Sequence, residues 1–269
     1  MSISRNNEIL KTSIDKDGIF RLVLNNQLNH NALSEEMMSK IQISLDESIS
    51  NKEIRVVIIS ADGPTFSAGH DLKELTKGRQ NSDKGRKYFK TVMTKCSKLM
   101  QTIVNNPKPV IAEVNGIATA AGCQLVASCD LAYASKSAKF ATPGVNIGLF
   151  CSTPMVAVSR NVSNKHSMEM LLSGELVSAE KAERIGLINK AVEESILTKY
   201  TLDIALKISK KSAITLKIGK EAFYKQIDMT LSEAYDYASN VMVENMLKLD
   251  AEEGIGAFID KRKPNWQDK

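Results

Sequence analysis

Histidine and cysteine are scarce in this chain of 269 residues, with three and four copies. The histidines, His30, His70 and His166, show no metal-ligand spacing, so no metal site is expected. The cysteines, at 96, 123, 129 and 151, form no CxxC pair. Cys123 and Cys129 lie among Ala, Val and Leu, as buried thiols of a reducing compartment do. Long apolar runs are missing too: none approaches the ~20 residues that span a bilayer, so no membrane partner is expected. The opening stretch, MSISRNNEILKTSIDKDG, has no apolar h-region and no Arg-rich amphipathic character. Neither a secretory signal nor a transit peptide is read there, and the expected location is the cytoplasm. Low-complexity linkers and internal repeats are absent. The charge is only mildly basic, 36 Lys and Arg against 31 Asp and Glu. Such a surface favours anionic partners. The lysines read as scattered, with only short runs such as Lys261-Arg262-Lys263, so nucleic acid is not expected.

What remains is an ordinary globular composition, 43 % apolar and 25 % charged, able to bury a full core. The length suits one large domain, or one domain with an appended helical piece. The first half alternates strand and helix. Ile19 to Leu24, Arg55 to Ser60, Val110 to Val114, Leu131 to Ala134 and Lys139 to Ala141 read as strands. Ser34 is a good N-cap for a helix to about Ser50, with Glu35 and Glu36 at the positive end of its dipole. A second helix runs from roughly Lys84 to Asn105, and Ala120 to Ser128 suits a helix buried on a sheet. This alternation argues for a parallel sheet with crossover helices. From Ser152 onward the segments are long and helical. Ile196, Tyr200, Ile204 and Ile208 fall four apart, and Thr230 with Glu233 forms a capping box. The expected division is an α/β core over 1–190 and a helical region over 191–269.

Two turns of small residues follow strand ends: Phe66-Ser67-Ala68-Gly69-His70-Asp71-Leu72-Lys73, and Asn115-Gly116-Ile117-Ala118-Thr119-Ala120-Ala121-Gly122-Cys123-Gln124. Open α/β sheets place ligands at the carboxyl ends of strands. Small residues let a ligand approach the backbone. The second turn enters a helix whose first N–H groups lack internal partners. Two such turns can converge on one oxygen as an oxyanion hole, although tight packing alone also favours small residues there.

FSAGHDLKEL and NGIATAAGCQLVASCDLAYAS, followed by KFATPGVNIGLF, resemble the crotonase (enoyl-CoA hydratase/isomerase) family. The resemblance runs from about Ile19 to the C-terminus, with Asn31-Ala32-Leu33-Ser34 and the late AFIDKRKP segment. It implies an α/β spiral of ββα units, a helical C-terminal trimerisation region, and trimers that often pair as hexamers. It implies acyl-CoA substrates, with coenzyme A entering as part of the substrate and no separate cofactor. The family's two oxyanion donors fall on the backbone N–H groups of His70 and Ala121. Ala68, Asp71, Leu72, Lys73 and Gly122 fall on the coenzyme-binding stretches, with Lys73 near the phosphates. Phe258 and Lys261 match a C-terminal pair that reaches coenzyme, in many members from a neighbouring subunit. The His70 side chain could itself be an acid or base.

Against that pattern, the two glutamates that handle water and the α-proton in the family's hydratases are replaced by Gln124 and Gly144. An amide can hold water or substrate by hydrogen bonds but exchanges no proton near neutral pH, and glycine has nothing to exchange. Two-glutamate hydration is therefore not expected. Cys151, Ser152, Glu113, Thr142 and Asn146 are the remaining polar candidates, with Phe150, Met155 and Met93 for an acyl-tail pocket. The readings left open are an acyl-CoA lyase, isomerase or hydrolase, a decarboxylase, a non-catalytic acyl-CoA-binding protein and, last, an RNA-binding protein.

Overall fold

The structure, a computed structural model, describes residues 8–269. Part of the opening stretch read for a leader, residues 1–7, lies outside the described residues. Among the described residues ten strands are ordered β1 (Leu10–Ile14), β2 (Ile19–Leu24), β3 (Val56–Ala61), β4 (Thr65–Ser67), β5 (Val110–Val114), β6 (Ile117–Thr119), β7 (Leu131–Ser135), β8 (Lys139–Ala141), β9 (Val177–Ser178) and β10 (Lys190–Val192). The helices in the first half are α1 (Glu35–Ser50), α2 (Leu72–Gly78), α3 (Arg86–Asn105) and α4 (Ala121–Ser128). Then come α5 (Ser152–Val158), α6 (Asn164–Ser173), α7 (Ala179–Arg184), α8 (Glu194–Ser209), α9 (Ala213–Gln226), α10 (Leu231–Met246) and α11 (Leu249–Ile259).

The strands deal alternately into two sheets. One has the order β1-β2-β3-β5-β7-β10, the other β4-β6-β8-β9. The pairs β3/β4, β5/β6 and β7/β8 each give one strand to each sheet, and helices follow them. The chain thus climbs as a spiral of ββα turns, a repeat of structure that leaves no repeat in the sequence. From β2 to β10 the larger sheet is parallel, and β1 is antiparallel to β2.

Strand β3 shows why the larger sheet is buried on both faces. Val57 and Ile59 enter one apolar cluster with α1 and α3, whereas Val56 and Ile58 enter a second, with α8. Successive side chains point to opposite faces, so a fully buried strand is apolar throughout. Ser34 caps α1 as expected, its hydroxyl accepting the Met37 N–H. Thr230 and Glu233 form their capping box at α10. The buried line of α8 is Leu197, Thr201 and Ala205. The expected line is one residue out of phase: Tyr200, Ile204 and Ile208 flank the contact, and Ile196 is exposed.

Helices α9 and α10 contain no buried residue. Phe223, Leu231, Tyr235, Met246, Leu247 and Phe258 are large exposed apolar groups on α9–α11 and their connections. Below α9, Lys220 donates to the carbonyls of Ile103 and Lys108 and to Asp130, and Tyr224 donates to the same carboxylate. No helix is long and apolar enough to cross a membrane among the described residues.

Candidate active site

The two glycine-bearing turns meet. The first leaves β4 and enters α2, and the second leaves β6 and enters α4. Strands β4 and β6 are parallel neighbours, which sets their turns side by side. A Cβ placed on Gly69 would stand 2.9 Å from the Ala120 Cβ and 3.0 Å from the Ala121 nitrogen. One on Gly122 would stand 2.2 Å from the Ser67 carbonyl oxygen. Only glycine permits both approaches. Ala120 adopts φ 50 and ψ −120, a conformation that L-residues avoid, while its N–H donates to the Ala141 carbonyl at 2.9 Å. The strained turn is thereby pinned to β8.

Among the described residues, neither the His70 N–H nor the Ala121 N–H donates to a protein acceptor. Ala121 opens α4, whose eight residues are all buried. Its N–H is therefore a helix-end donor backed by the helix dipole. Two unpaired donors on touching turns are what a developing oxyanion requires.

Gln124 lies one helical turn beyond Ala121, on the same side of α4, and is buried. Its Oε1 takes a long contact of 3.9 Å from the Cys96 Sγ. Burial pushes that thiol up to about 12, so it stays protonated and can donate. The Gln124 Nε2 has no acceptor among the described residues. Cys96 is a neighbour that sequence reasoning missed, because nothing local links it to Gln124.

The second glutamate position is closed. A Cβ on Gly144 would lie 2.7 Å from the Leu149 carbonyl oxygen and 2.9 Å from the Cys151 sulfur. The Gly144 N–H donates to that sulfur at 3.3 Å. Burial raises the Cys151 pKa, which opposes the thiolate a nucleophile needs. Ser152 donates to the Phe150 carbonyl at the exposed start of α5. Thr142 is fully buried, and its hydroxyl has no partner among the described residues. Asn146 donates to the Gly174 carbonyl.

Glu113 faces away. It lies on the α8 side of β5, where Arg21 donates to it at 2.8 and 3.0 Å and Thr198 at 3.1 Å. This ion pair joins sheet to helix and takes no part in the turns.

Around the turns, Asp71 caps α2 by accepting the N–H groups of Lys73 and Glu74. Ala68, Leu72 and Lys73 are exposed, and Leu72 and Lys73 line a shallow cleft with Thr76, Lys77 and Gln80. Positive charge is less scattered than the sequence reading has it: residues 71–98 hold nine Lys and Arg against Asp71, Glu74 and Asp83. Phe258 and Lys261 are exposed at the end of α11, which packs on α9 and α10. Met93 lines an open groove between α1 and α3, and Phe150 is exposed.

Comparison with known proteins places this fold. The family model for enoyl-CoA hydratase/isomerase matches residues 15–269. The mouse enoyl-CoA hydratase domain-containing protein 3, mitochondrial, is 50 % identical over 96 % of this chain and 84 % of that protein. The crystal structure of the human protein of that name has a TM-score of 0.91 at 48 % identity, over 96 % of this chain and all of that one. An enoyl-CoA hydratase structure from Mycobacterium smegmatis has a TM-score of 0.92 at 42 % identity, over 97 % and 99 %. The cytoplasmic expectation is corrected here: the mouse, rat and human relatives at 50 % identity are named as mitochondrial. The expectation rests on reading no leader pattern in the opening stretch, and neither that reading nor buried, unpaired cysteines decides the compartment. The chain belongs to the enoyl-CoA hydratase/isomerase family, the crotonase family, and has its fold.

Proposed function

We propose that this protein is an enzyme acting on acyl-CoA thioesters, with the thioester carbonyl oxygen held by the N–H groups of His70 and Ala121. The observation that carries this reading is the contact of the two turns at Gly69 and Gly122, with both donors left unpaired. Enolate or tetrahedral charge on that oxygen would gain roughly 3 kcal/mol from each donor. Gln124 holds a water or a substrate group from its free amide. The cationic stretch over 71–98 suits a polyanionic coenzyme. In it, Ala68, Asp71, Leu72 and Lys73 flank the coenzyme beside Gly122. Phe258 and Lys261 reach the coenzyme of a neighbouring subunit. The apolar surface of α9–α11 supports a homotrimer or a dimer of trimers.

The reaction is not two-glutamate hydration, because Gln124 and Gly144 hold those positions. Reactions that draw on the carbonyl grip alone, lyase, isomerase, hydrolase or decarboxylase chemistry, fit better. The closed space at Gly144 favours a second reading, an acyl-CoA-binding protein without turnover. Purified protein is given crotonyl-CoA, and the conjugated enoyl-thioester absorbance is followed together with binding. Binding with little or no hydration is expected. Hydration at the rate of a two-glutamate enzyme overturns the reading of Gln124 and Gly144, and absent binding overturns the acyl-CoA site.

A further inference from the structure

The first turn is held from behind by the segment that precedes α1. The Gly69 carbonyl accepts the Leu33 N–H at 2.7 Å, and the Ala68 N–H donates to the His30 carbonyl at 3.1 Å. Leu33 and His70 stand opposite each other in a short parallel bridge. The Gly69 carbonyl and the His70 N–H belong to one peptide unit, which is planar and trans. They therefore point in opposite directions. Holding the carbonyl on the Leu33 side turns the His70 N–H away from that segment, where it meets no protein acceptor among the described residues. The His70 ring nitrogens are both sealed from solvent and take no part in this arrangement.

Asn31 is what fixes the holding segment. It is fully buried, and its backbone lies in the left-handed region at φ 49, next to His30 at φ 51. Asparagine and histidine occupy that region more readily than most L-residues. The Asn31 Oδ1 accepts the Asn26 N–H at 2.7 Å. Its Nδ2 donates to the carbonyls of Asp62 at 3.0 Å and Thr65 at 2.7 Å. One acceptor beside two donors is what a side-chain amide supplies. Thr65 opens β4, the strand that carries the turn. Asn31 thus ties the segment to the start of β4, and Leu33 ties it to the turn beyond the strand's end.

We propose, resting on the acyl-CoA reading above, that Asn31 is a positioning residue for the thioester carbonyl. Asn31 fixes the Leu33 N–H, the Leu33 N–H fixes the Gly69–His70 peptide, and that peptide aims one of the two donors at the carbonyl oxygen. Asn31 itself touches no substrate. A donor pinned through its own carbonyl needs no reorganisation when charge develops, which is the condition for such a donor to be effective. The Leu33 bond also polarises the peptide that it holds and strengthens the N–H opposite. The second donor, on Ala121, takes its direction from α4 and lies outside this chain of bonds. Loss of the Asn31 amide therefore slackens one donor and leaves the other.

The test uses the full-length protein and crotonyl-CoA carrying a heavy carbon isotope at the thioester carbonyl, whose stretch is read by infrared difference spectroscopy. Binding of crotonyl-CoA and of free coenzyme A, which has no thioester carbonyl, is measured alongside. Asn31→Gly permits the left-handed backbone and removes the three side-chain bonds. It is expected to lose a large part of the wild-type downshift of the carbonyl stretch. It should also weaken crotonyl-CoA binding roughly 2–10-fold more than coenzyme A binding, the worth of one neutral hydrogen bond. Asn106→Ala is the matched control, another buried asparagine, bonded to Ser48 and Lys108 away from the turns. It should lower Tm and leave the carbonyl stretch where the wild type has it. Asn31→Asp is the milder variant should Asn31→Gly not fold. It keeps the Asn26 bond and donates only when protonated, so its downshift should return in part as pH falls. A folded Asn31→Gly, or Asn31→Asp at neutral pH, with the wild-type carbonyl stretch overturns the proposal. So does an equal loss of downshift in Asn106→Ala, which makes the loss a matter of stability alone. A wild type that binds crotonyl-CoA with no downshift removes the carbonyl grip, and this proposal with it, but leaves an acyl-CoA site. A wild type that binds no crotonyl-CoA removes both.

Discussion

Replacing Gly122 by alanine is the sharpest probe of the paired donors. The added methyl would fall 2.2 Å from the Ser67 carbonyl oxygen and 2.8 Å from the Ser67 Cβ. Neither neighbour is the far end of a flexible side chain, so the start of α4 must back away from β4. Restoring ordinary contact takes a shift of about 1 Å, and Ala121 moves with it. Misplacement by that distance typically costs ~10²-fold in rate, and losing one such donor costs about 2.7–4 kcal/mol. Overpacking adds about 1–3 kcal/mol to the cost of folding, or roughly 2–4 °C of Tm for each kcal/mol in a large domain. The assay is titration with crotonyl-CoA, reading both affinity and the change in enoyl-thioester absorbance as the carbonyl is polarised. Thermal unfolding is recorded alongside. Gly122→Ala should keep its fold at a lowered Tm and lose the polarisation. Gly219→Ala is the control: in α9 its methyl meets nothing, so both readouts should hold. It should gain about 0.5–1 kcal/mol from helix propensity. Wild-type polarisation in Gly122→Ala would refute the claim that this contact sets the donors.

Restoring the glutamates by Gln124→Glu with Gly144→Glu should yield no two-glutamate hydration and a lower Tm, because the Leu149 carbonyl and the Cys151 sulfur fill the second position; brisk crotonyl-CoA hydration at unchanged Tm would contradict this. Glu113→Gln should cost about 2–3 kcal/mol by denaturant unfolding, below the ~3–5 kcal/mol of a fully buried pair because Arg21 keeps 21 % side-chain exposure. Acyl-CoA binding should not change; a large loss of binding at unchanged stability would place Glu113 in the site after all. Lys220→Met leaves Asp130 without its cation and should cost about 3 kcal/mol near neutral pH. Burial already raises the Asp130 pKa, and a raised carboxylate favours the folded state most when protonated. The deficit should therefore shrink as pH falls through the Asp130 pKa and grow as it rises; a deficit that grows toward acid pH reverses the assignment.

Local chemistry made much of the fold legible. The β-branched run before Ala61, the Ser34 cap and the Thr230–Glu233 box each act over a few residues and are where the sequence puts them. The buried line of α8 was not, because a stripe of large residues and a stripe of Leu197, Thr201 and Ala205 differ by one position. Only packing on the sheet chooses between them. In the site, the residue types of the two turns were readable as a motif, and so was the loss of both glutamates. What could not be read is long-range: Cys96 against Gln124, Cys151 and Leu149 in the space beyond Gly144, and Arg21 neutralising Glu113 across 92 positions. No local pattern encodes a pairing over such distances.

The contact between the turns has a consequence for how this scaffold can change. The donors at positions 70 and 121 belong to the main chain, and their placing is enforced by missing side chains at 69 and 122. Nothing in that arrangement depends on which group projects from positions 70, 124 or 151. On the proposed reading, the hold on a carbonyl is the constant part of the machine, and the reagents around it are interchangeable tooling. A lineage, or an experimenter, can exchange one reagent for another at those three places without first rebuilding the grip.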